Sequence, residues 1–275
     1  MLDDVISILM NPFFIKAFIG IFISALVAGN IGPILTTRGI SFLTAEVAHA
    51  VLGGAALGIF IRSFILSNVD PLIIALLFGI LSGLIAAYLG EGGRGRFEAA
   101  IGMSLALSMA VAVLFLAIIP SEDIPLVWGY LLGDILFLSL NDIILLSTST
   151  ILILIISLLF NREFLYIAFD EDGAKAMGLN TRLYHYISIF ISSLGIVVLT
   201  KALGSIIIYA ILIVPPMMAS MLTNSYTRIR VLSFLSVLIY GIIGLYISFL
   251  VNVAPSGLIA LLLVSTYIII RLRRG

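Results

Sequence analysis

Residues 161–184 read NREFLYIAFDEDGAKAMGLNTRLY, and this polar break decides how the rest of the chain is understood. It carries Arg162, Glu163, Asp170, Glu171, Asp172, Lys175 and Arg182, in a chain with only 14 basic and 14 acidic residues among 275. Apolar runs long enough to cross a bilayer lie on both sides of it. Inside it, Ala174 to Met177 followed by Gly178 predicts a short helix stopped by glycine, which takes the left-handed cap conformation at little cost. Asp170, Glu171 and Asp172 stand where a helix start favours acids, beside unpaired N–H groups and the positive end of the dipole. A short helix on a loop of a many-span protein is a handle for another protein. The alternative is a solvated connector with no role.

Composition supplies the class. The chain is 62% hydrophobic and 10% charged, with a mean hydropathy of +1.30, against roughly 45–50% apolar residues in soluble domains. So few charges cannot cover the surface of a soluble protein of this length, and the expectation is an all-α polytopic membrane bundle forming one transmembrane domain over 1–275. Zero net charge offers nothing to nucleic acid, and the absence of cysteine excludes disulfides and thiolate metal ligands. The N-terminal MLDDVISILM lacks the basic start of a cleaved signal peptide, so the first apolar run is expected to be a retained span.

With ~20 residues per crossing, the candidate runs are 13–33, 46–66, 71–89, 99–119, 143–160, 186–200, 204–223, 231–251 and 256–270, the two around Lys201 being short. About eight or nine spans result. The stretch 127–139 is too short to cross and is broken by Gly133 and Asp134, so it reads as an interfacial or re-entrant helix, tolerated where protein or a wet cavity surrounds it. Placing Arg271, Arg273 and Arg274 in the cytoplasm and alternating backwards also puts Arg228, Arg230, Arg162, Lys175, Arg182, Arg94, Arg96 and Arg38 inside. Only Lys16, Arg62 and Lys201 are left towards the other side. The N-terminus is then outside and the 161–184 loop cytoplasmic. The turn GEGGRGRFE (90–98) lacks the GxxxxGK[ST] pattern of a phosphate loop, so ATP-driven work has to come from a partner chain.

Two features inside the apolar runs carry possible chemistry. In SFLTAEVAHAVLGGAALG (41–58), Glu46, His49 and Gly53 share one helical face. Ionisable groups in a span are expensive and normally face a bundle interior or wet cavity, and a carboxylate with an imidazole suits a borderline divalent metal. A hydrogen-bonded pair that only ties helices is the alternative. Ala50, Gly54 and Gly58, four apart, predict close helix packing. The second feature is Pro215-Pro216 in LIVPPMMAS (212–220), which predicts a kink or break whose freed carbonyls line a substrate path. His185, between two tyrosines, reads as interfacial and not as a ligand.

These residues, taken together, resemble the integral membrane permeases of ATP-binding-cassette importers for zinc and manganese, which are similar in fold to the vitamin B12 permeases. The resemblance is carried in order by RGISFLTAEVAHAVLGGAALG (38–58), FEAAIGM (97–103), LLGDIL (131–136), AFDEDGAKAMGLNTRLYHY (168–186) and KALGSIIIYAILIVPPMMASML (201–222). It implies a homodimer in the cell membrane, a separate ATPase subunit, and an extracytoplasmic protein that delivers the metal, with no cofactor bound permanently. It further implies that Phe169, Asp170, Glu171, Ala174 and Gly178, which match the family's FDEE-A-x-x-x-G segment, dock the ATPase. The family usually has Asp four residues before the span-two histidine; here Ala45 stands there, with Glu46 beside it, and Glu98 replaces another family Asp. An importer of a metal chelate such as a siderophore, or a stand-alone secondary metal transporter, are the alternatives.

Overall fold

A computed structural model of the chain describes residues 12–91, 94–133 and 135–274. All of the regular structure among them is helical. The helices are α1 (Pro12–Thr37), α2 (Leu43–Phe64), α3 (Pro71–Leu89), α4 (Arg94–Leu116), α5 (Ile124–Leu132), α6 (Leu140–Leu159), α7 (Asn161–Phe169), α8 (Glu171–Ala176), α9 (Thr181–Leu203), α10 (Ile208–Leu222), α11 (Tyr226–Val251) and α12 (Pro255–Arg274). Eight of them are long and apolar enough to cross a bilayer. Asp134, within the LLGDIL stretch, lies outside the described residues.

Side-chain size sorts these helices into layers. In α3 the small Ala75, Gly79, Ser82, Gly83 and Ala86 turn inward, while Ile73, Leu77, Leu81 and Ile85 are exposed. With lipid as apolar as leucine, close backbone approach of small residues is what holds such helices together. The expected stripe on α2 does this work. A Cβ on Gly54 would lie 2.8 Å from Ala75 Cα, and one on Gly58 the same distance from Pro71 Cα. Helices α1, α2 and α9 are mostly buried, and α3, α4, α6, α11 and α12 surround them.

The chain marks its turns with local hydrogen bonds. Asp70 caps α3 by accepting from Leu72 N at 2.9 Å, ahead of Pro71 in the first turn. Ser139 and Asp142 form a reciprocal capping box on α6. The contacts at the turns then define two ends. One gathers Arg38, Glu91, Asn161, Arg182 and Arg230, with α7 and α8. The other gathers Arg62, Asp123, Gly133 and Gly204.

The two short runs near Lys201 resolve differently from each other. The first belongs to α9, which starts back at Thr181 within the polar break and reaches 23 residues. The second is α10, only 15 residues, or about 22 Å at 1.5 Å per residue. It runs from the Gly204 end towards α11, whose Arg230 meets Asn161 at the α7–α8 end. A non-helical step at 204–207 makes up part of its length.

The 127–139 segment behaves as its length demands. Helix α5 has nine residues and stops at Gly133 (φ 65°), and α9 stops at Gly204 (φ 87°). The two stops abut: a Cβ on Gly133 would fall 2.1 Å from Gly204 N. Ser205 N donates to Tyr130 O at 3.1 Å, so non-helical backbone is paired inside the protein.

Candidate functional site

Helix α2 brings Glu46 and His49 into the bundle, in neighbouring but different surroundings. Glu46 is fully buried. Its Oε1 accepts from Ser82 Oγ on α3, and from Ser104 Oγ on α4 at 2.8 Å. Ser104 and Ser108 Oγ lie 2.8 and 3.2 Å from Ser82 Oγ. Oε2 has no partner. A buried carboxylate bound only by neutral hydroxyls, with one oxygen idle, is costly in hydrocarbon. The sequence reading missed these serines, although Ser104 and Ser108, four apart in an apolar run, were the visible signal.

His49 is half-buried on the neighbouring face, together with Ala45. Its Nδ1 stands 2.8 Å from Ala45 O. A carbonyl only accepts, so Nδ1 carries the proton and Nε2 keeps its lone pair. Metal-bound histidines are commonly oriented by such an N–H to a backbone carbonyl. No hydrogen bond joins the Glu46 and His49 side chains, and no group of three or more His, Asp or Glu residues forms a metal cluster among the described residues.

Of the kink or break expected at Pro215-Pro216, a break is absent. Both prolines are buried inside α10, which is helical through them, and the chain departs from helix at 204–207 instead. The reason lies opposite. Proline at 216 leaves the Leu212 carbonyl without its intrahelical donor, and Gly32 of α1 packs against it: a Cβ there would sit 2.4 Å from Leu212 O and 3.1 Å from Pro216 Cγ. The neighbour shields the freed group, as buried membrane helices allow.

At the polar end, the 161–184 stretch forms what its residues predict. Asp170 is the N-cap of α8 and accepts from Gly173 N at 2.8 Å. Gly178 N bonds Lys175 O and Leu179 N bonds Ala174 O, both at 3.0 Å, with Gly178 at φ 83°. This is the two-bond glycine stop at a helix C-terminus. Ala174 is buried while Phe169 is 78% exposed, with Met177 and Tyr166 also open. Glu171 pairs with Lys175 at 2.9 Å, and that hydrogen bond raises the Lys175 pKa.

The handle is tied to the bundle by contacts that the sequence does not show. A cleft of about 660 Å³ beside α8 is lined by Arg38, Glu91, Phe97, Glu171, Lys175 and His185, among others. Arg38, on the turn before α2, donates to His185 Nδ1 at 2.6 Å and to Ser188 Oγ. That bond occupies one ring nitrogen of His185. Burial lowers the Arg38 pKa to about 10, with Glu171 acting in the opposite direction. Glu91 accepts from Tyr186 Oη at 2.6 Å and Arg182 Nε at 2.9 Å, and the tyrosine hydroxyl foremost holds its pKa below the usual carboxylate range.

Residues 10–274 match the ABC 3 transport family. The chain belongs to that family. It is a multi-pass membrane permease of an ATP-binding-cassette importer, whose ATPase is a separate subunit. The manganese transport system membrane protein MntC of Listeria monocytogenes is 29% identical over 262 residues, covering 95% of this chain and 90% of its own. The chelated iron transport system membrane protein YfeD of Yersinia pestis is 25% identical over 252 residues, covering 91% and 82%. A chain in the structure of PsaBC from Streptococcus pneumoniae in complex with Fab superposes with a TM-score of 0.82 at 30% identity, covering 98% and 95%.

Proposed function

We propose that this permease carries a divalent transition metal into the cell, manganese before zinc, as one permease domain paired with a second copy of itself. The similarity to a manganese transport protein along 95% of the chain supports manganese. The observation that carries the site is the His49 ring, whose Nδ1–H rests on Ala45 O and whose Nε2 is left able to take a metal. Glu46 contributes its unpaired Oε2. Incomplete coordination suits cargo that has to be released, and the second copy or the span at Pro215 and Pro216 completes the ligand set.

The α8 end lies in the cytoplasm, with the C-terminus inside and the N-terminus outside, in keeping with the distribution of basic residues. Arg62 fits this orientation, because its charge is met at 3.0 Å by Asp123. There the ATPase grips Phe169, Asp170, Glu171, Ala174 and Gly178, while an extracytoplasmic metal-binding protein delivers cargo at the acidic opposite end. ATP-driven closure of the partner subunits pulls on α8, and the Arg38–His185 contact passes that movement to the turn preceding α2.

The test is ATP-dependent metal uptake in vesicles containing the assembled complex. His49→Ala is expected to abolish manganese uptake while expression and ATPase assembly persist. Normal uptake in that variant would make His49 a structural tie and overturn the site. A chelate importer is the second reading, supported by the name of the Yersinia relative. Uptake of chelated but not free metal would favour it.

A further inference from the structure

Arg230 stands one turn into α11, at the same end of the bundle as α7 and α8. Its Nη1 donates to Asn161 Oδ1 at 3.4 Å, and its Nη2 donates to Asn30 Oδ1. Asn30 is itself fixed by its Nδ2–H to Leu26 O at 2.7 Å and by Ser157 Oγ, which donates to Oδ1 at 3.3 Å. These partners are neutral acceptors, and none of the described ion pairs involves Arg230. A guanidinium has five N–H donors, and this arrangement leaves donors and a full positive charge uncommitted. A tight helix crossing brings it there: a Cβ on Gly29 would lie 3.0 Å from Arg230 O and 2.9 Å from Phe234 Cβ.

The surface beside it is apolar and open. A groove of about 280 Å³ runs between α1, α11 and the end of α6, walled by Leu26, Leu158, Val231 and Phe234, with Thr227 near its mouth. Leu158 and Val231 are exposed on helices long and apolar enough to cross a bilayer. Arg228 adjoins Thr227 in sequence and is also exposed. An anchored cation beside an apolar groove, one turn into a membrane-length helix, complements an amphipathic anion. Basic pockets between transmembrane helices hold anionic headgroups on this principle.

We propose that Arg230 and this groove form a binding site for one anionic phospholipid, the phosphate on the Arg230 guanidinium and an acyl chain along Leu26, Leu158, Val231 and Phe234. Asn30, Asn161 and Ser157 are positioning residues that aim the guanidinium. A bound lipid there ties the first turn of α11 to α1 and to the α6–α7 junction, from which the docking loop departs. The choice of a lipid over free phosphate rests on the apolar walls, which inorganic phosphate cannot use.

The experiment is native mass spectrometry of the detergent-purified permease, titrated with phosphatidylglycerol, phosphatidylcholine or inorganic phosphate. Two variants accompany it: Arg230→Gln, which keeps an amide donor for Asn30, and Val231→Trp, which fills the groove and leaves Arg230 in place. Thermal unfolding of each confirms that it is folded. The expected result is one phosphatidylglycerol retained roughly fivefold or more tightly than phosphatidylcholine, lost in both variants. Equal retention of the two lipids overturns the site, and so does competition by inorganic phosphate at concentrations comparable to the lipid. If Val231→Trp splits a dimer without changing lipid retention, the groove belongs to a second copy and the lipid is refuted.

Discussion

The Glu46 carboxylate accepts a hydrogen bond from the Ser104 hydroxyl at 2.8 Å, across the contact between the second and fourth helices of the bundle. Ser82 reaches the same oxygen from the third. One buried acid therefore joins three helices through a single atom, and its two hydroxyl partners touch each other.

Ser104→Ala is expected to lower the stability of the detergent-solubilised permease by about 1–2 kcal/mol, since a buried acceptor loses a donor. Ser82→Ala should cost a similar amount. The double variant should cost less than the sum, because the two hydroxyls share one oxygen. Thermal unfolding of the three variants measures this. Strict additivity would mean that the serines act independently.

Moving the carboxylate one place back, as Ala45→Asp with Glu46→Ala, puts it on the half-buried face of His49 and four residues before it. Substantial manganese uptake per folded molecule is expected, although stability falls with the loss of the serine ties. Uptake no better than that of Glu46→Ala alone would separate the two faces functionally.

Gly133→Ala and Gly204→Ala each place a methyl on backbone at positive φ, with the nearest atoms of the opposing strand of chain at 2.1 and 2.4 Å. Neither stop can move without the other. Each substitution should destabilise the protein by about 3 kcal/mol or more, read as lost folded yield and an early unfolding transition. Gly102→Ala, with nothing within 4 Å of the added carbon, is the control expected to be near neutral.

Docking is tested at the exposed edge of the polar loop. Phe169→Ala and Glu171→Lys should leave the permease inserted and folded, but weaken co-purification with its ATPase about tenfold or more, as truncation of an interface anchor does. Unchanged co-purification together with unchanged ATP-driven uptake removes these residues from the interface.

Glu91 gives a pH dependence of definite sign. Its folded pKa is depressed, by the Tyr186 hydroxyl first and Arg182 next. Its contribution to stability is therefore present above the unfolded value of about 4.3 and is lost as pH falls through the folded value. Glu91→Gln should unfold at a lower temperature than the parent at pH 7, and the gap should narrow as the pH falls below the unfolded value of about 4.3. A gap constant over that range contradicts the assignment.

Much of this protein is written locally. Hydropathy alone marks the membrane helices, because a bilayer demands long apolar segments with internally satisfied backbones. The α8 helix, its Asp170 cap and its Gly178 stop are equally legible, since each depends on residues within a few positions of one another. The glycine stripe of α2 announces its own packing. What the sequence does not contain is the neighbour. Pro215 and Pro216 point to a kink or break, yet α10 stays helical through them with Gly32, more than 180 residues away, packed on the freed Leu212 carbonyl, and the non-helical step lies at 204–207, where two glycine stops abut. Glu46 and His49 share a face by periodicity, but Ser82 and Ser104 draw the carboxylate to α3 and α4 while the imidazole binds its own helix's carbonyl. Covalent spacing determined which segments are apolar enough to cross and where the local caps and glycine stops of the polar loop fall. Only the tertiary structure decided which polar atom meets which, because inside a membrane each buried polar group is satisfied by whatever the packing of other helices brings to it.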